Sequence, residues 1–463
     1  MYFSIATRSK PLIAINFLLA LTFGAHAATF TWDGGGSDSN WTTANNWNPN
    51  AAPSISGGHD IVLAGTTRLT DNVDGGTWTI NSLSFSSGAG AFSLSGGGLN
   101  IGAGGITNSS TNTQTVANQI QLTANQTWNA SSGALAVTNS YLDGNNKTLT
   151  VSGSSAVTVT GGQFNNLNTL TLTGSGNRSF AALNNTGTVN VQSTGSNSFS
   201  GQVSATTLNL SAGTTTFNNT GGTDAQIGSG GINISGTANA TFNNAVGASG
   251  GINITGSGNI NFAGSISGAS LTLNGTGTTT LSGTGSKNIT STVVNSGTLL
   301  MNQSGGAAIN GTLTVNSGGT VKFGANNQVP SWQTVTLNAG STLLVDNTTQ
   351  TFTNLVITGD SVIDFGGSGS TLAINSITVT NNALLTIVNW NSAVDTFTSS
   401  SNASSQAVQI YYADTGTTGT YTPGSGTITP NSPVPEPATY GVLLMGSSVA
   451  FVAWLRRRRA LRA

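Results

Sequence analysis

Pairs of aliphatic residues, spaced two positions apart, recur along this chain at a nearly fixed interval of about 20 residues. In one series each pair is followed by a further apolar residue: Leu170/Leu172/Phe180, Val189/Val191/Phe199, Leu208/Leu210/Phe217, Ile232/Ile234/Phe242, Ile252/Ile254/Phe262 and Leu271/Leu273/Leu281. Residues two apart on an extended chain face the same side, so each pair marks one face of a short strand. A unit of this length cannot bury that face alone, so the units must stack.

A second series has four apolar positions per unit, at i, i+2, i+8 and i+10. Its members are Leu313/Val315/Val321/Phe323, Val335/Leu337/Leu343/Val345, Leu355/Ile357/Ile363/Phe365, Ile377/Val379/Leu385/Ile387 and Leu149/Val151/Val157/Val159. Gly, Asn, Ser and Thr between the pairs supply turns. The pattern predicts an all-β chain, folded as a parallel β-solenoid (β-helix) of coils of about 20 residues. Hairpin signals at a shorter spacing, without this longer repeat, would instead indicate an array of antiparallel β-sandwiches.

The predicted solenoid body covers residues 81–430, after an N-terminal cap region at 28–80. If all of residues 28–435 formed regular coils, about 20 coils would stack into a rod about 95 Å long. Only 5% of the residues are charged, whereas the chain has 63 glycines and abundant Asn, Ser and Thr. We expect outward Thr and Asn side chains to form ladders between coils.

Residues 1–27 have the three parts of a signal peptide. Arg8 and Lys10 form the positive region, residues 11–23 form the apolar region, and Ala25-His26-Ala27 matches the small-x-small cleavage pattern. The apolar run is shorter than the about 20 residues that a transmembrane helix needs. Cleavage by a signal peptidase at Ala25 and Ala27, with a mature chain beginning at Ala28, is therefore the prediction.

The C-terminal segment, residues 431–463, combines a motif, an apolar run and a basic cluster. Pro435-Glu436-Pro437 precedes an uncharged run, 438–455, and then Arg456, Arg457, Arg458 and Arg459. As a helix the uncharged run would be about 27 Å long, close to the thickness of a hydrocarbon core. Arginine clusters stay on the cytoplasmic side, so the sequence predicts one C-terminal transmembrane helix with the body outside.

This tail resembles the PEP-CTERM sorting signal of Gram-negative bacteria. The resemblance implies recognition and cleavage by an exosortase, and an association with exopolysaccharide and biofilm. It also implies that the body is periplasmic and anchored to the inner membrane before processing, then at the cell surface or outside the cell. The body resembles the autotransporter-associated β-strand repeat proteins, through "WDGGGSDSNWTTANNW" at 32–47, "NQIQLTANQTW" ending at Trp128 and "LLTIVNW" ending at Trp390.

The charge of the body excludes nucleic acid as a partner. Between the leader and the tail lie five basic residues and twelve aspartates, so this region is mildly acidic. A nucleic-acid binder needs a basic patch to replace counterions. The absence of cysteine excludes disulfides and thiolate metal sites. No cofactor and no metal are expected.

A polysaccharide-degrading β-helix enzyme is the main alternative function. Repeat alignment places Asp346 and Asp364 on neighbouring strands, pointing outward and roughly 8 Å apart. That separation suits the two carboxylates of an inverting glycosidase. Asp360 is the third candidate. No Arg, Lys or His lies near them in sequence to bind an acidic sugar or to shift a pKa.

The other candidates for catalysis or metal binding have ordinary explanations. His59, the one histidine of the mature chain, is expected in a turn before a strand rather than in a catalytic triad. Asp33, Asp38 and the acidic turn at 71–75 lack the spacing of calcium loops. Aspartates are common in turns for conformational reasons alone.

Three tryptophans near the start of the mature chain allow two interpretations. Trp32, Trp41 and Trp47 either cap the solenoid or stack on sugars. The sequence as a whole favours a non-enzymatic, structural or adhesive surface protein, with exopolysaccharide as a candidate partner. A β-helix enzyme and a glycan-binding module are the alternatives.

Overall fold

The aliphatic pairs form short strands that wind into a parallel β-solenoid of about 17 turns, with about 21 residues per turn. This computed structural model describes residues 27–139, 141–367 and 369–432. At about 4.8 Å per coil the stack is about 80 Å long. The predicted parallel β-solenoid is therefore confirmed, with about 17 turns where a repeat that ran through the whole mature chain would give about 20.

The described chain holds forty strands and two single-turn helices. In its first half the strands are β1 (Thr29–Trp32), β2 (Trp47–Asn48), β3 (His59–Leu63), β4 (Thr70–Val73), β5 (Trp78–Phe85), β6 (Ser93–Gly96), β7 (Leu99–Asn108), β8 (Gln114–Val116), β9 (Ile120–Leu122), β10 (Gln126–Ala130), β11 (Leu135–Val137), β12 (Tyr141–Asp143), β13 (Thr148–Ser152), β14 (Val157–Asn165), β15 (Thr169–Leu172), β16 (Arg178–Val191), β17 (Ser196–Phe199), β18 (Val203–Leu210), β19 (Thr214–Phe217) and β20 (Thr223–Ile234).

In the second half they are β21 (Asn239–Phe242), β22 (Ala245–Ala248), β23 (Ile252–Ile254), β24 (Ile260–Phe262), β25 (Ile266–Leu273), β26 (Thr278–Gly283), β27 (Lys287–Val294), β28 (Gly297–Gln303), β29 (Thr312–Val315), β30 (Gly319–Phe323), β31 (Thr334–Leu337), β32 (Thr342–Leu344), β33 (Thr349–Ile357), β34 (Ser361–Asp364), β35 (Thr371–Val379), β36 (Leu385–Val388), β37 (Thr396–Ser399), β38 (Ile410–Tyr412), β39 (Thr417–Thr422) and β40 (Thr427–Pro430). The helices are a 3-10 turn at Ala44–Asn46 and α1 at Ser404–Ala407.

Each coil visits three faces in turn, here named A, B and C. Face A carries the aliphatic pairs: β13, β15 and the end of β16 stack in parallel, with Val151 opposite Leu172 and Leu172 opposite Val191. Face B holds the apolar residue that follows each pair, as in the β17–β19 register of Phe199 on Phe217. Face C stacks β12, the end of β14, the middle of β16 and the start of β18. The two sequence series predicted faces A and B.

The core is a continuous column of stacked side chains. On face B the rings of Phe180, Phe199, Phe217, Phe242 and Phe262 follow one another at centroid distances of 5.9, 5.1, 4.4 and 4.9 Å. All five side chains are buried. Parallel, in-register strands place identical residues one above another, which is why the sequence repeats the same residue type at this position.

Asparagine ladders run along the outside, as the sequence predicts. The amide of Asn274, at the corner after face A, donates to Asn253 of β23 at 3.1 Å, and the amide of Asn295 donates to Asn274 at 2.6 Å. The ladder continues to Asn316 and Asn338. Amide-to-amide bonds join coils without charge, so the chain needs few surface ions to remain folded.

Both ends of the described stack are closed. At the N-terminal end β2 pairs antiparallel with β1, whose other edge pairs in parallel with β3. At the C-terminal end β39 pairs antiparallel with β38, and β40 pairs antiparallel with β39 and β37. The predicted cap region, residues 28–80, contributes β1 to β4 and the start of β5 to these stacked faces.

No helix between residues 27 and 432 is long and apolar enough to cross a membrane. The predicted C-terminal transmembrane helix and the signal helix lie outside the described residues.

Candidate functional site

A groove follows the corner between faces C and A along the axis of the solenoid. One part, about 490 Å³, is lined by Asp143 and by amide and hydroxyl side chains of the next three coils. A second part, about 320 Å³, shares Asn185, Thr186 and Thr206 with the first and continues to Gln226 and Ser249. Six successive coils contribute, so at about 4.8 Å per coil the groove is about 24 Å long.

Left-handed asparagines shape this corner. Asn145, Asn146, Asn166 and Asn185 have φ values of 45°, 57°, 56° and 50°. Asparagine adopts this conformation more readily than other residues with a side chain, because its amide bonds to the local backbone. The first three coils of the groove therefore turn in a similar way at this corner, and their asparagines line it side by side.

A ladder of side-chain hydrogen bonds forms the floor. The amide of Asn185 donates to Asn166 at 2.8 Å, and that of Asn166 donates to Asp143 at 3.4 Å. A parallel rung joins Asn184 to Asn165 at 3.0 Å. Each rung uses only some of the donors and acceptors of an amide, so the others remain available on the open side of the groove.

Asp143 is the one carboxylate of this lining. Partial burial acts to raise its pKa, but hydrogen bonds from Gln121, Asn145 and Asn166 outweigh burial and hold the pKa below its ordinary value. Asp143 is therefore ionised at neutral pH. Glycosidases need a second carboxyl group that acts as an acid or a nucleophile, and this groove offers none.

The predicted catalytic aspartates lie elsewhere and serve the turns. Asp364, on β34, stands in register with Leu344 of β32, and its Oδ1 accepts from the backbone N–H of Gly366 at 2.9 Å and from Asn389 at 2.8 Å. Asp346 Oδ1 also lies close to Gly366, and a side chain at that position would clash with it. Asp346 and Asp364 thus stand on neighbouring coils, and the backbone and asparagine donors of the corner engage Asp364.

A lysine faces Asp346, whereas Asp360 lies at another corner. Lys322 Nζ is 3.2 Å from Asp346 Oδ2, and the two side chains are 40% and 35% exposed. Asp360 accepts from the backbone N–H of Leu384 at 2.8 Å. Although no cation lies near Asp346 in sequence, Lys322 of the preceding coil reaches it in the fold.

The N-terminal aspartates also serve turns. Asp33 Oδ1 accepts from the backbone N–H of Gly35 at 3.0 Å. Asp38 accepts from the backbone N–H of Asn40 at 3.1 Å and from Thr43 Oγ1 at 3.0 Å. These bonds, that from Thr43 foremost, hold the pKa of Asp38 below its ordinary value. Both carboxylates therefore accept hydrogen bonds from neutral groups of their own loop.

The N-terminal tryptophans close the end of the core. Trp32, Trp41 and Trp47 are fully buried, and their rings contact one another edge to face at 5.1 and 5.5 Å. Trp78 extends this cluster. Because no face of these rings reaches solvent, the structure favours capping over sugar stacking.

His59 forms part of a pair, not a triad. Its Nε2 lies 2.9 Å from Ser54 Oγ, while its Nδ1 has no hydrogen-bond partner among the described residues. The neighbouring Asp60 carboxylate instead accepts from Asn81 and Ser82. No described carboxylate therefore orients the imidazole, as nucleophilic catalysis would require. Between residues 27 and 432, no group of three or more His, Asp or Glu side chains could hold a metal ion.

Two cations buried inside the solenoid were not predicted. Arg178 is 1% exposed, and Lys287 is equally buried. The guanidinium donates to four carbonyls, those of Gly153, Ser155, Thr173 and Asn177. The ammonium of Lys287 likewise donates to corner carbonyls. Burial lowers the pKa of Lys287 to about 8 and also lowers that of Arg178. Both cations bind converging backbone carbonyls and are structural.

Asp71 is a buried acid near the N-terminal end of face B. Burial raises its pKa to about 8, and neither carboxyl oxygen has a hydrogen bond within the described chain. The indole N–H of Trp41 lies near the carboxyl group and acts to lower its pKa, but the two groups do not form a hydrogen bond. Asp71 is thus a neutral acid in an apolar setting at pH 7.

The sorting tail follows the described residues, and comparison with known families finds a match there. Residues 433–459 match the PEP-CTERM protein-sorting motif. The PEP-CTERM tail indicates exosortase-dependent sorting of an exported protein, in a bacterium of Gram-negative type. Pro435, Glu436, Pro437 and Arg456 to Arg459 fall within this match. No curated protein and no solved structure matches the chain.

The match covers the PEP-CTERM tail and does not extend to the body. The resemblance of the repeats to autotransporter-associated β-strand proteins stays a prediction, as do the signal peptidase site at Ala25 and Ala27 and the membrane anchor. The function of the body must therefore be argued from its surface.

Proposed function

We propose that this protein is a structural and adhesive rod of the cell surface or extracellular matrix, and that it binds neutral polysaccharide along the corner groove. The groove itself supports this most directly. It is continuous over about 24 Å, and amides and hydroxyls provide most of its polar lining. An extended ligand with many hydroxyl groups can exchange hydrogen bonds with such a surface coil after coil.

The charge of the lining supports a neutral ligand. Asp143 is the single ionised group, and no lysine or arginine lies among the lining residues. A uronic-acid polymer would carry repeated negative charges without a partner, and it would be repelled by Asp143. A neutral polysaccharide would have no unpaired charges in the groove and would not be repelled by Asp143.

The same lining supports binding without cleavage. Hydrolysis of a glycosidic bond requires two carboxyl groups about 5 to 9.5 Å apart. The groove provides one, whereas Asp346 and Asp364 lie at a different corner and are engaged by Lys322, Gly366 and Asn389. The proposal is therefore of a non-enzymatic protein.

Binding is tested with the full-length protein and a groove-filling substitution. Thr206 is exposed and lines both parts of the groove, so Thr206→Arg would block it. Thr237→Arg, at an exposed threonine of the corner after face A, is the matched control for charge and size. We expect Thr206→Arg, but not Thr237→Arg, to reduce retention in gels that contain hydroxyethylcellulose, dextran or galactomannan. Equal retention of both variants, or new reducing ends released by the wild type, would contradict the proposal.

Surface delivery is tested separately, at the sorting motif. Glu436→Ala removes the one glutamate of the chain. We expect the variant to accumulate in the membrane fraction with its tail attached, while the wild type appears at the surface or outside the cell with a shorter chain. An unchanged distribution and mass would show that Glu436 does not contribute to sorting.

A further inference from the structure

Trp332 stands apart from the other tryptophans of the described chain. Its side chain is 69% exposed, whereas the remaining described tryptophans are at most 9% exposed. An indole carries the largest apolar surface of any side chain, and exposing it to water is unfavourable unless something covers it. Because Trp332 lies in the ordered body and not in a tail, its exposure needs an explanation.

The backbone presents this indole rigidly. The N–H of Gln333 donates to the carbonyl of Pro330 at 3.0 Å and closes a turn around Trp332. The carbonyl of Ser331 accepts from Thr353 Oγ1 of the next coil at 2.6 Å, and the side chain of Gln333 donates to the carbonyl of Asn310 in the preceding coil at 2.7 Å. A turn fixed to both neighbouring coils determines where the indole leaves the backbone, so little backbone entropy is lost on binding.

The surroundings indicate what kind of molecule covers the ring. A depression of about 480 Å³ adjoins Trp332, with Ala307, Val329 and Pro330 as its apolar part and Asn327 and Thr351 among its polar part. Its lining holds no charged side chain. A single flat aromatic face beside amide and hydroxyl groups matches a neutral sugar ring, which has an apolar face of C–H groups and a rim of hydroxyls.

A protein partner fits this surface less well. Protein interfaces need about 1,000 Å² of buried surface with an apolar centre. Trp332 is the one large, strongly exposed apolar residue of this depression. A single exposed ring in one small depression is too limited an anchor for that purpose.

The position of Trp332 relates it to the groove. Pro330 to Gln333 immediately precede β31 and so occupy the same corner, between faces C and A, as the groove. From Ser249 to Trp332 this corner advances by four coils, or about 19 Å. The corners between them carry small or polar residues, such as Gly268, Ser270 and Asn310. A ligand chain lying along the groove would pass no large side chain before it reached the indole.

We infer that Trp332 is a second carbohydrate subsite, where a sugar ring of a neutral polysaccharide stacks on the indole. This inference rests on the proposed function for the identity of the ligand, but it uses different residues. Stacking on Trp332 would fix the chain at one point, while the amide-lined groove would hold it along its length.

The test compares substitutions that keep or remove the ring. With full-length protein and hydroxyethylcellulose, dextran and galactomannan as probes, we expect Trp332→Ala to weaken retention roughly three- to tenfold. Trp332→Phe should retain most of the binding. Val408→Ala, which shortens another strongly exposed apolar side chain (62% exposed), should change nothing. Alginate, a polyanion, should be retained by no variant.

The outcomes separate this subsite from the groove. If Thr206→Arg lowers retention but Trp332→Ala does not, the subsite is refuted and the groove stands. If Trp332→Ala lowers retention but Thr206→Arg does not, the subsite stands and the groove is refuted. Equal losses in Trp332→Ala and Trp332→Phe would exclude stacking, and stronger binding of alginate than of the neutral polymers would refute a neutral ligand.

Discussion

The phenylalanine column on face B should dominate the stability of the central coils. Phe217 lies between Phe199 at 5.1 Å and Phe242 at 4.4 Å, with interplanar angles of 10° and 3°. Phe→Ala substitutions in a core cost about 3 to 5 kcal/mol, and stacked ring pairs contribute about 0.5 to 1.5 kcal/mol each beyond area burial. Phe217 has two such pairs, so we expect Phe217→Ala to lower the free energy of unfolding by about 4 to 5 kcal/mol.

Phe180 provides the internal comparison. It is equally buried but stacks on one ring, Phe199, at 5.9 Å and 21°. Phe180→Ala should therefore cost about 1 kcal/mol less than Phe217→Ala. Phe217→Leu, which keeps much of the volume but loses the ring, should cost roughly 1 to 2 kcal/mol.

Guanidinium unfolding followed by circular dichroism measures these differences, and hydrogen exchange locates them. Because each coil contacts only its neighbours, protection should fall first in β17, β19 and β21 and remain high near the ends. A loss below about 2 kcal/mol for Phe217→Ala, or equal losses at positions 180 and 217, would refute the role of the ring column.

Three further substitutions test the buried polar groups and the outer ladder. Because its pKa is raised, folded Asp71 keeps a proton that the unfolded chain loses near pH 4, so the free energy of unfolding should fall by about 1.4 kcal/mol per pH unit between about pH 4 and pH 8. Asp71→Asn should abolish this slope in urea titrations across the range. An unchanged slope would show that other groups cause it. Arg178→Met leaves four corner carbonyls without their hydrogen-bond donor and should lower the free energy of unfolding by roughly 3 to 5 kcal/mol, whereas Arg178→Lys should lose less. Equal stability of Arg178→Met and the wild type in thermal melts would contradict this. Asn295→Ala breaks two rungs of the asparagine ladder and should lower the free energy of unfolding by about 1 to 2 kcal/mol. Asn259→Ala, at an exposed position outside that ladder, is the control. Similar losses of stability for both variants in the same melts would rule out a stabilising ladder.

Faces A and B were predictable because their residues repeat strictly. Leu170, Leu172 and Phe180 lie in a period that a linear reading detects, and all three are buried. Face C escaped prediction because its inward residues vary in size and are unevenly spaced, from Phe164 and Leu183 to Ala205 and Ala225. Bulges and register shifts in β16, β18 and β20 vary the distance between faces C and A, and so conceal the period.

The candidate sites were also only partly predictable from the sequence. Neighbours in this solenoid are about one turn apart in sequence, so contacts such as Lys322 to Asp346 are invisible to a search for nearby residues. The groove was hidden for a different reason, since asparagine is common throughout the chain and only the stacking of successive coils brings Asn145, Asn166 and Asn185 into one line. Trp332 could have been noticed as the one tryptophan flanked by serine and glutamine between two aliphatic pairs.

The closed ends of the stack limit how these molecules can associate. Since β2 lies antiparallel on the first strand and the β39–β40 hairpin lies antiparallel on the last coil, neither end of the described body presents a parallel coil on which another copy could stack in register. The reach of the molecule is thus set by the number of repeats in its chain, and not by polymerisation. If the proposed function is correct, polysaccharide chains are joined through the long sides, and each rod is a fixed-length spacer between them.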